Sequence, residues 1–471
     1  MTAINSRLIN LYYKILNSDK IHKAIKSLKI FYVIKIHPEY IKEKKYSFKE
    51  IFKKILNRIF YVLRNTLDKI IYKEQNKLSK CKVLVLSHLL NKKQLNSRKD
   101  FYFGDFNQVL KKKNISYQFI LINHTETSSP KLNKINSNNN KRWVIENLLN
   151  LRLEIYLIFI QFKCLFWIIK NKKIFNPKIS SKDVILSLFH NETKFALRCN
   201  LMIKKYLQIV QPKYLITTFE GFPWERQIFK ATKDFDKKIK IIGYQQVFLN
   251  ENYKSIFYRL SKDYDPDIIW TLDNFSKKLF LKSDLKNKVI KVVGNLKNKK
   301  KVKIKKNFKK NKNNILVIPE GIESECIKLF SFSLSLAIKY KKLNFYWRVH
   351  PVIKIENILK KMKINKFQIP FNIIISKEKN LEKDFCKCRF VIYRGSSTAI
   401  DALNFGLIPI YLKTQNEPNI DILRSYKKKN YVKNTKEFYH IIKSLNVVKI
   451  PYRKKFREDA NVIRLKELTH F

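Results

Sequence analysis

The chain reads as an α/β protein of two domains built on parallel sheets, and three features of the sequence predict this. Short apolar runs typical of buried parallel strands recur between residues 82 and 412. Helical stretches separate them, giving the β/α alternation of a parallel sheet. A Lys- and Asn-rich segment with few apolar positions, residues 297–314, splits the runs into two series.

Residues 1–80 form a basic helical extension, in which Phe48, Ile51, Phe52, Ile55, Ile59, Leu63, Leu67, Ile70 and Ile71 recur at three- and four-residue steps. Such a stripe suits a helix packed on the main body or one lying on a membrane surface. The first domain, residues 81–296, opens with the apolar run after Lys82. Its further strands are expected at Phe119–Ile122, Val184–Leu188, Tyr214–Thr217, Ile239–Ile242 and Asp267–Thr271. Residues 125–141, rich in Ser, Asn and Lys, read as a loop. Ile155–Ile169 is the most apolar stretch, broken by Gln161 and Lys163. It is shorter than the roughly 20 residues of a membrane span, so a buried or interfacial helix is expected. After the linker at 297–314, the second domain, residues 315–445, carries strands at Ile315–Ile318, Asn344–Val349, Phe371–Ile375, Phe390–Tyr393 and Ile408–Leu412. A charged C-terminal helix is expected at 446–471.

Composition removes several function classes. Only 7 of the 471 residues are glycine, and no two lie closer than Gly395 and Gly406. That spacing excludes the dinucleotide fingerprint G-x-G-x-x-G, the phosphate loop G-x-x-x-x-G-K and the nucleophile elbow G-x-S-x-G. The six cysteines are scattered without zinc-ligand spacing, which fits reduced thiols and a cytoplasmic location. No H-x-x-x-H pair occurs, and Pro266 places Asp263, Asp265 and Asp267 ahead of a strand rather than at its end, so no metal is expected. The formal net charge of +62 points to polyanions, either nucleic acid or an anionic membrane face. Lys far outnumbers Arg, however, which also fits a compositional bias, since recognition of phosphate geometry favours Arg. No helix-turn-helix, RRM or zinc signature supports nucleic acid as a partner.

Four strand ends concentrate chemistry-bearing residues. After Phe390–Tyr393 come Arg394, Gly395, Ser396, Ser397 and Thr398, then a helix closed by Gly406. Three hydroxyls, free N–H groups and an arginine at a helix start suit a phosphate, although one hydroxyl would suffice as an ordinary cap. A second strand delivers Arg348 and His350 to its carboxyl end, where Pro351 stops it. Ligands of open α/β sheets gather outside such ends. A third enters a helix through Glu320, Gly321, Glu323 and Glu325, carboxylates that could bind sugar or base hydroxyls or only favour the helix N-terminus. The fourth, in the first domain, presents Glu220, Gly221, Trp224 and Glu225, with Pro223 suited to the first helical turn. Glu220 is placed to act as a general base, with a solvent-exposed turn glutamate as the plainer reading. Gln245 and Gln246 end the next strand at the same edge.

Taken in order, the carboxylate-Gly strand end, the His350-Pro351 pair and Ser396-Ser397-Thr398 resemble the motifs of bacterial GT-B glycosyltransferases of surface-polysaccharide biosynthesis. These include the sialyl- and polysialyltransferases, the capsule Kdo transferases and the CDP-glycerol polymerases. The resemblance spans roughly residues 82–445. It implies two Rossmann-like parallel-sheet domains facing a cleft, and inverting, metal-independent transfer from a nucleotide-sugar, a CMP-linked one being a candidate. Glu220 would be the base and His350 would contact the donor phosphate. Ser396, Ser397 and Thr398 would hold that phosphate with Arg348 and Arg394 beside them. Glu320 and Gly321 would line the nucleotide pocket, and Trp224, Gln245 and Gln246 the acceptor side of the cleft. The acceptor would be a polysaccharide or a lipid-linked glycan at the cytoplasmic membrane face. Two departures leave the donor and the base open. Phe219 stands where the sialyltransferases carry a second acidic residue, and Gln245-Gln246 where several relatives carry His-Gly. A nucleic-acid or anionic-membrane-binding protein and a non-catalytic GT-B-like scaffold are the alternatives.

Overall fold

A computed structural model describes residues 10–18, 23–28, 31–32, 48–72, 78–125, 127–135, 142–145, 151–174, 181–249, 253–296, 311–351, 353–378, 380–415, 417, 419–423, 426 and 429–446. The first domain contains strands β1 (Val83–Leu89), β2 (Tyr117–Asn123), β3 (Arg142–Ile145), β4 (Tyr214–Thr218), β5 (Lys240–Gln245), β6 (Ile268–Thr271) and β7 (Val289–Val292). They pair in parallel in the order β3-β2-β1-β4-β5-β6-β7. The second contains β8 (Asn311–Ile318), β9 (Asn344–Trp347), β10 (Ile373–Ile375), β11 (Cys388–Tyr393), β12 (Ile408–Leu412) and β13 (Asn430–Val432). These are also parallel, in the order β10-β9-β8-β11-β12-β13. This is the GT-B pattern of two Rossmann-like domains.

The strands form where they do because both faces of each sheet are covered. Every residue of β1 is buried, and its alternate side chains enter two different cores, Leu84 and Leu86 on one face and Val83 and Val85 on the other. A run buried on both faces has no polar alternation, and each fully buried Val or Leu contributes about 1.5–3 kcal/mol. The second sheet repeats this, with Ile315 and Val317 on one side of β8 and Leu316 and Ile318 on the other.

Three sequence expectations are corrected. Val184–Leu188 is not a strand but lies in the helix Ser181–Leu188, with Val184 and Leu188 buried one helical turn apart. A short apolar run does not by itself distinguish a buried strand from a buried helix face. The expected loop at 125–141 contains the helix Ser129–Ile135, which covers β3: Asn133 exchanges hydrogen bonds with the Val144 backbone at 3.0 and 2.8 Å, and Ser129 bonds the Ile145 carbonyl at 2.7 Å. The Lys/Asn-rich linker ends earlier than expected, because Asn311–Asn314 begin β8. Of the expected C-terminal helix, residue 446 ends the helix Thr435–Asn446, and 447–471 lie outside the described residues, as do 297–310.

Part of the N-terminal extension is core. Leu16, Ile25, Leu28 and Phe31 are buried in the same cluster as Leu84 and Leu207 of the first domain. Tyr13 stacks on Tyr258, with ring centroids 3.9 Å apart and planes at 5°. The helix Phe48–Ile71 differs, since most of its described large apolar side chains are exposed.

Candidate active site

Strand order locates the site before any side chain is considered. In each sheet the chain moves one way from the first strand and then returns to the opposite side of it. The switch points therefore lie between β1 and β4 and between β8 and β11. Crevices at the carboxyl ends of such strands are where open α/β sheets bind ligands.

At the first switch point Glu220 follows β4, and its Oε1 accepts a hydrogen bond from Gln246 Nε2 at 2.7 Å. The Glu220 charge also acts on Tyr102, whose hydroxyl is raised well above its usual range chiefly by burial. Glu225, in the same segment, does something different. It is fully buried in the helix Pro223–Phe235, and its carboxylate accepts from the backbone N–H groups of Glu220, Gly221 and Phe222 at 2.8–3.0 Å. Burial and the Glu220 charge push Glu225 up to about 8, against the pull of those three donors. Glu225 thus shapes the turn that presents Glu220. Pro223 occupies the first helical turn, as expected.

Of the other expected cleft residues, Gln246 bonds Glu220 at the strand edge, while Gln245 and Trp224 turn inward. Gln245 is buried, its amide bonded to the Val247 carbonyl and its Oε1 to the Leu272 N–H, so it holds the strand end rather than lining the edge. Trp224 is buried against His88, edge to face with centroids 5.2 Å apart, and against Phe195.

His88, His124, Thr218 and Tyr102 were not expected. His88 is the penultimate residue of β1, and its Nδ1 lies 2.8 Å from His124 Nε2 and its Nε2 3.0 Å from Thr218 Oγ1. Burial, then the neighbouring His124, hold His88 down to about 3, and burial also lowers His124. A neutral imidazole with both nitrogens engaged orients its neighbours rather than titrating. The rule that selected His350, a histidine at a strand's carboxyl end, would also have selected these two.

The second switch point gathers Glu320, His350 and the turn at Gly395. Ile318 pairs with Tyr393, so Glu320 and Gly395 stand level two residues further on. A Cβ on Gly395 would overlap the Glu320 carboxylate. His350 is half-buried and held below its usual range by burial, with Glu320 close enough to oppose that shift. Ser397 occupies the N-cap position of the helix Thr398–Asn404 without a side-chain cap bond. Among the described residues, the hydroxyls of Ser396, Ser397 and Thr398 make no hydrogen bond.

Both arginines expected at the donor phosphate are held by acidic partners within the second domain. Arg394 is buried, its Nε and Nη2 paired with Glu325 (2.5 Å) and Glu417 (2.7 Å), and its Nη1 with the Leu412 carbonyl and Thr414. Arg348 turns to Asp384 at 3.1 Å, Ser376 and the Glu378 carbonyl. The Arg394 guanidinium, committed to carboxylates at this burial, ties the helix Glu323–Lys339 to the ends of β11 and β12 and presents no fork to a ligand, whereas Arg348 makes its three bonds through Nη1. Gly321 is half-buried beside Glu320. Phe248, two residues beyond Gln246, packs against a core of each domain and so links the two halves. Among the described residues no three His, Cys, Asp or Glu side chains gather as a metal ion would require.

The glycines at the two switch points predict opposite behaviour. Gly221 has φ +86°, and a Cβ there would strike the backbone of Ser255 and Ile256. Gly221→Ala is expected to destabilise the fold by about 2 kcal/mol or more. Gly395 has no positive φ, and its obstacle is the movable end of a side chain. Gly395→Ala should leave the melting temperature nearly unchanged while displacing the Glu320 carboxylate. Thermal melts of the two variants separate the two outcomes.

No protein-family model matches the chain, and no curated protein does. Solved structures do. UDP-GlcNAc 2-epimerase of Methanocaldococcus jannaschii, in complex with UDP-GlcNAc and UDP, is 11% identical, the match covering 83% of this chain and 100% of that one at a TM-score of 0.49. MnaA of S. aureus, solved with UDP, is 10% identical over 83% and 95% of the two chains, TM-score 0.49. The glycotransferase of kitacinnamycin is 8% identical over 83% and 94%, TM-score 0.45.

Proposed function

We propose that the chain is an inverting, metal-independent glycosyltransferase that moves a sugar from a nucleotide-sugar to a surface-polysaccharide or lipid-linked glycan acceptor. One observation carries this reading. Each switch point holds its own half of the required chemistry: the Glu220 carboxylate in the first domain, and His350, Glu320 and three unengaged hydroxyls in the second. Glu220 Oε2 accepts the proton of the acceptor hydroxyl while Gln246 holds Oε1. That hydroxyl attacks the anomeric carbon, the bond to the donor phosphate breaks on the opposite face, and Ser396, Ser397, Thr398 and neutral His350 donate hydrogen bonds to the departing phosphate. Glu320 accepts from ribose or sugar hydroxyls, as a carboxylate beside a diol would.

A thermal-shift panel of CMP-, CDP-, UDP- and GDP-sugars tests the donor half. One nucleotide is expected to raise the melting temperature with a chelator present, and His350→Ala to weaken its binding about tenfold or more. No shift with any donor, or unchanged affinity in the variant, would count against the assignment. Epimerisation of the bound sugar without an acceptor would replace transfer by the reaction named for the M. jannaschii structure.

A further inference from the structure

The helix Leu151–Lys170 buries Glu154 and Gln161 together with Leu157, Cys164 and Ile168, and leaves a second apolar stripe exposed. Its inward face carries Glu154 and Gln161, each satisfied there: Arg198 bonds Glu154 at 2.8 and 3.1 Å, and Gln161 bonds the Leu188 carbonyl at 2.9 Å. The outward face carries Leu151, Ile155, Phe159, Phe162, Phe166 and Ile169, all exposed, Phe166 to 68%. The helix Phe48–Ile71 packs beside it and is exposed in the same way at Leu56, Ile59, Leu63, Leu67 and Ile70, the last to 67%. Scattered exposed leucines are ordinary, but two adjoining helices that each expose a full apolar stripe form a surface with a purpose.

Charge selects the occupant. The helix Phe48–Ile71 contains six basic and two acidic residues, and Leu151–Lys170 contains three and one. Lys163 lies over the Phe159 ring at 4.6 Å, an ammonium at the border of the apolar face. A second copy of a chain of net charge +62 would bring like charges together, whereas an anionic bilayer supplies the opposite charge and an apolar layer beneath it. Among the described residues no helix is long and apolar enough to cross a membrane, so contact is in the plane of the surface. We infer that these two helices dock the protein on an anionic lipid surface, with the aromatic and aliphatic side chains inserted below the headgroups and the lysines among them. The inference does not depend on the transfer chemistry.

Flotation of the full chain with phosphatidylcholine vesicles, with and without phosphatidylglycerol, tests it. Binding is expected only with phosphatidylglycerol, weakened at high salt. Phe159→Glu with Phe166→Glu should reduce it more than about tenfold, Leu63→Glu with Leu67→Glu likewise, and Leu281→Glu, exposed on another helix, should not. Thermal melts verify that each variant is folded, and the two pairs act on separate helices should one fail. Three results would overturn the inference: no binding by the native chain, equal binding by both pairs, or a dimer that the pairs dissociate while vesicle binding persists.

Discussion

Glu220→Gln is expected to lower the proposed glycosyl transfer by about 100- to 10,000-fold while leaving affinity for the proposed donor nearly unchanged. The amide keeps an oxygen for Gln246 Nε2, now 2.7 Å from Oε1, so the loop after β5 has no reason to move and only the proton acceptor is lost. Single-turnover rates with the donor identified by the thermal-shift panel, beside titration of the same donor, are the measurement. The carboxylate of Glu225 cannot substitute, because its oxygens are already shared among three backbone N–H groups in a fully buried turn. Full activity in Glu220→Gln would remove Glu220 from the base role, and with it the first-domain half of the proposed chemistry.

Arg226→Ala is expected to cost about 3–5 kcal/mol of stability, measured by chemical denaturation. Arg226 and Asp265 are both wholly buried and paired, and the same guanidinium donates to the carbonyls of Ser255 at 3.0 Å and Tyr258 at 2.9 Å. Removing it leaves the buried Asp265 carboxylate, which burial already raises, facing Arg259 at 3.9 Å in place of its close partner. Replacing both partners by apolar residues, Arg226→Met with Asp265→Leu, should recover much of the loss, since the penalty comes from the unpaired charge. The consequence reaches the site. Arg226 fixes the segment through Ser255, and Ser255 Oγ donates to the Gly221 carbonyl at 2.8 Å, one residue from Glu220. A single variant that lost activity without losing stability would show that the network positions the turn rather than supports the fold.

Much of the site was legible because strand ends are legible. An apolar run, a Gly or Pro that stops it and a polar residue at the break mark a position on the carboxyl edge of a parallel sheet. Glu220, His350, Gly395 and the three hydroxyls all announce themselves that way. The same pattern could not say which side chains would turn inward. Arg394 and Arg348 sit where phosphate ligands belong, yet Glu325, Glu417 and Asp384 claim them, partners 69, 23 and 36 residues away in the chain. Gln245 and Gln246 are neighbours with one side-chain type, and the pleat alone sends one into the strand end and the other to Glu220.

The sequence by itself determined the two-domain α/β class, the place of each switch-point turn, and the exclusion of glycine-built phosphate loops. These follow from local patterns of apolar burial and backbone freedom. Tertiary structure decided the rest. Val184–Leu188 became a helix because its apolar positions meet the core one turn apart. Tyr13, Leu16, Ile25, Leu28 and Phe31 joined the first-domain core. Leu151–Lys170 turned Glu154 and Gln161 inward because Arg198 and the Leu188 carbonyl wait there to satisfy them. Which face of an element is inside depends on partners far away in the chain, and hydrophobic periodicity cannot see them.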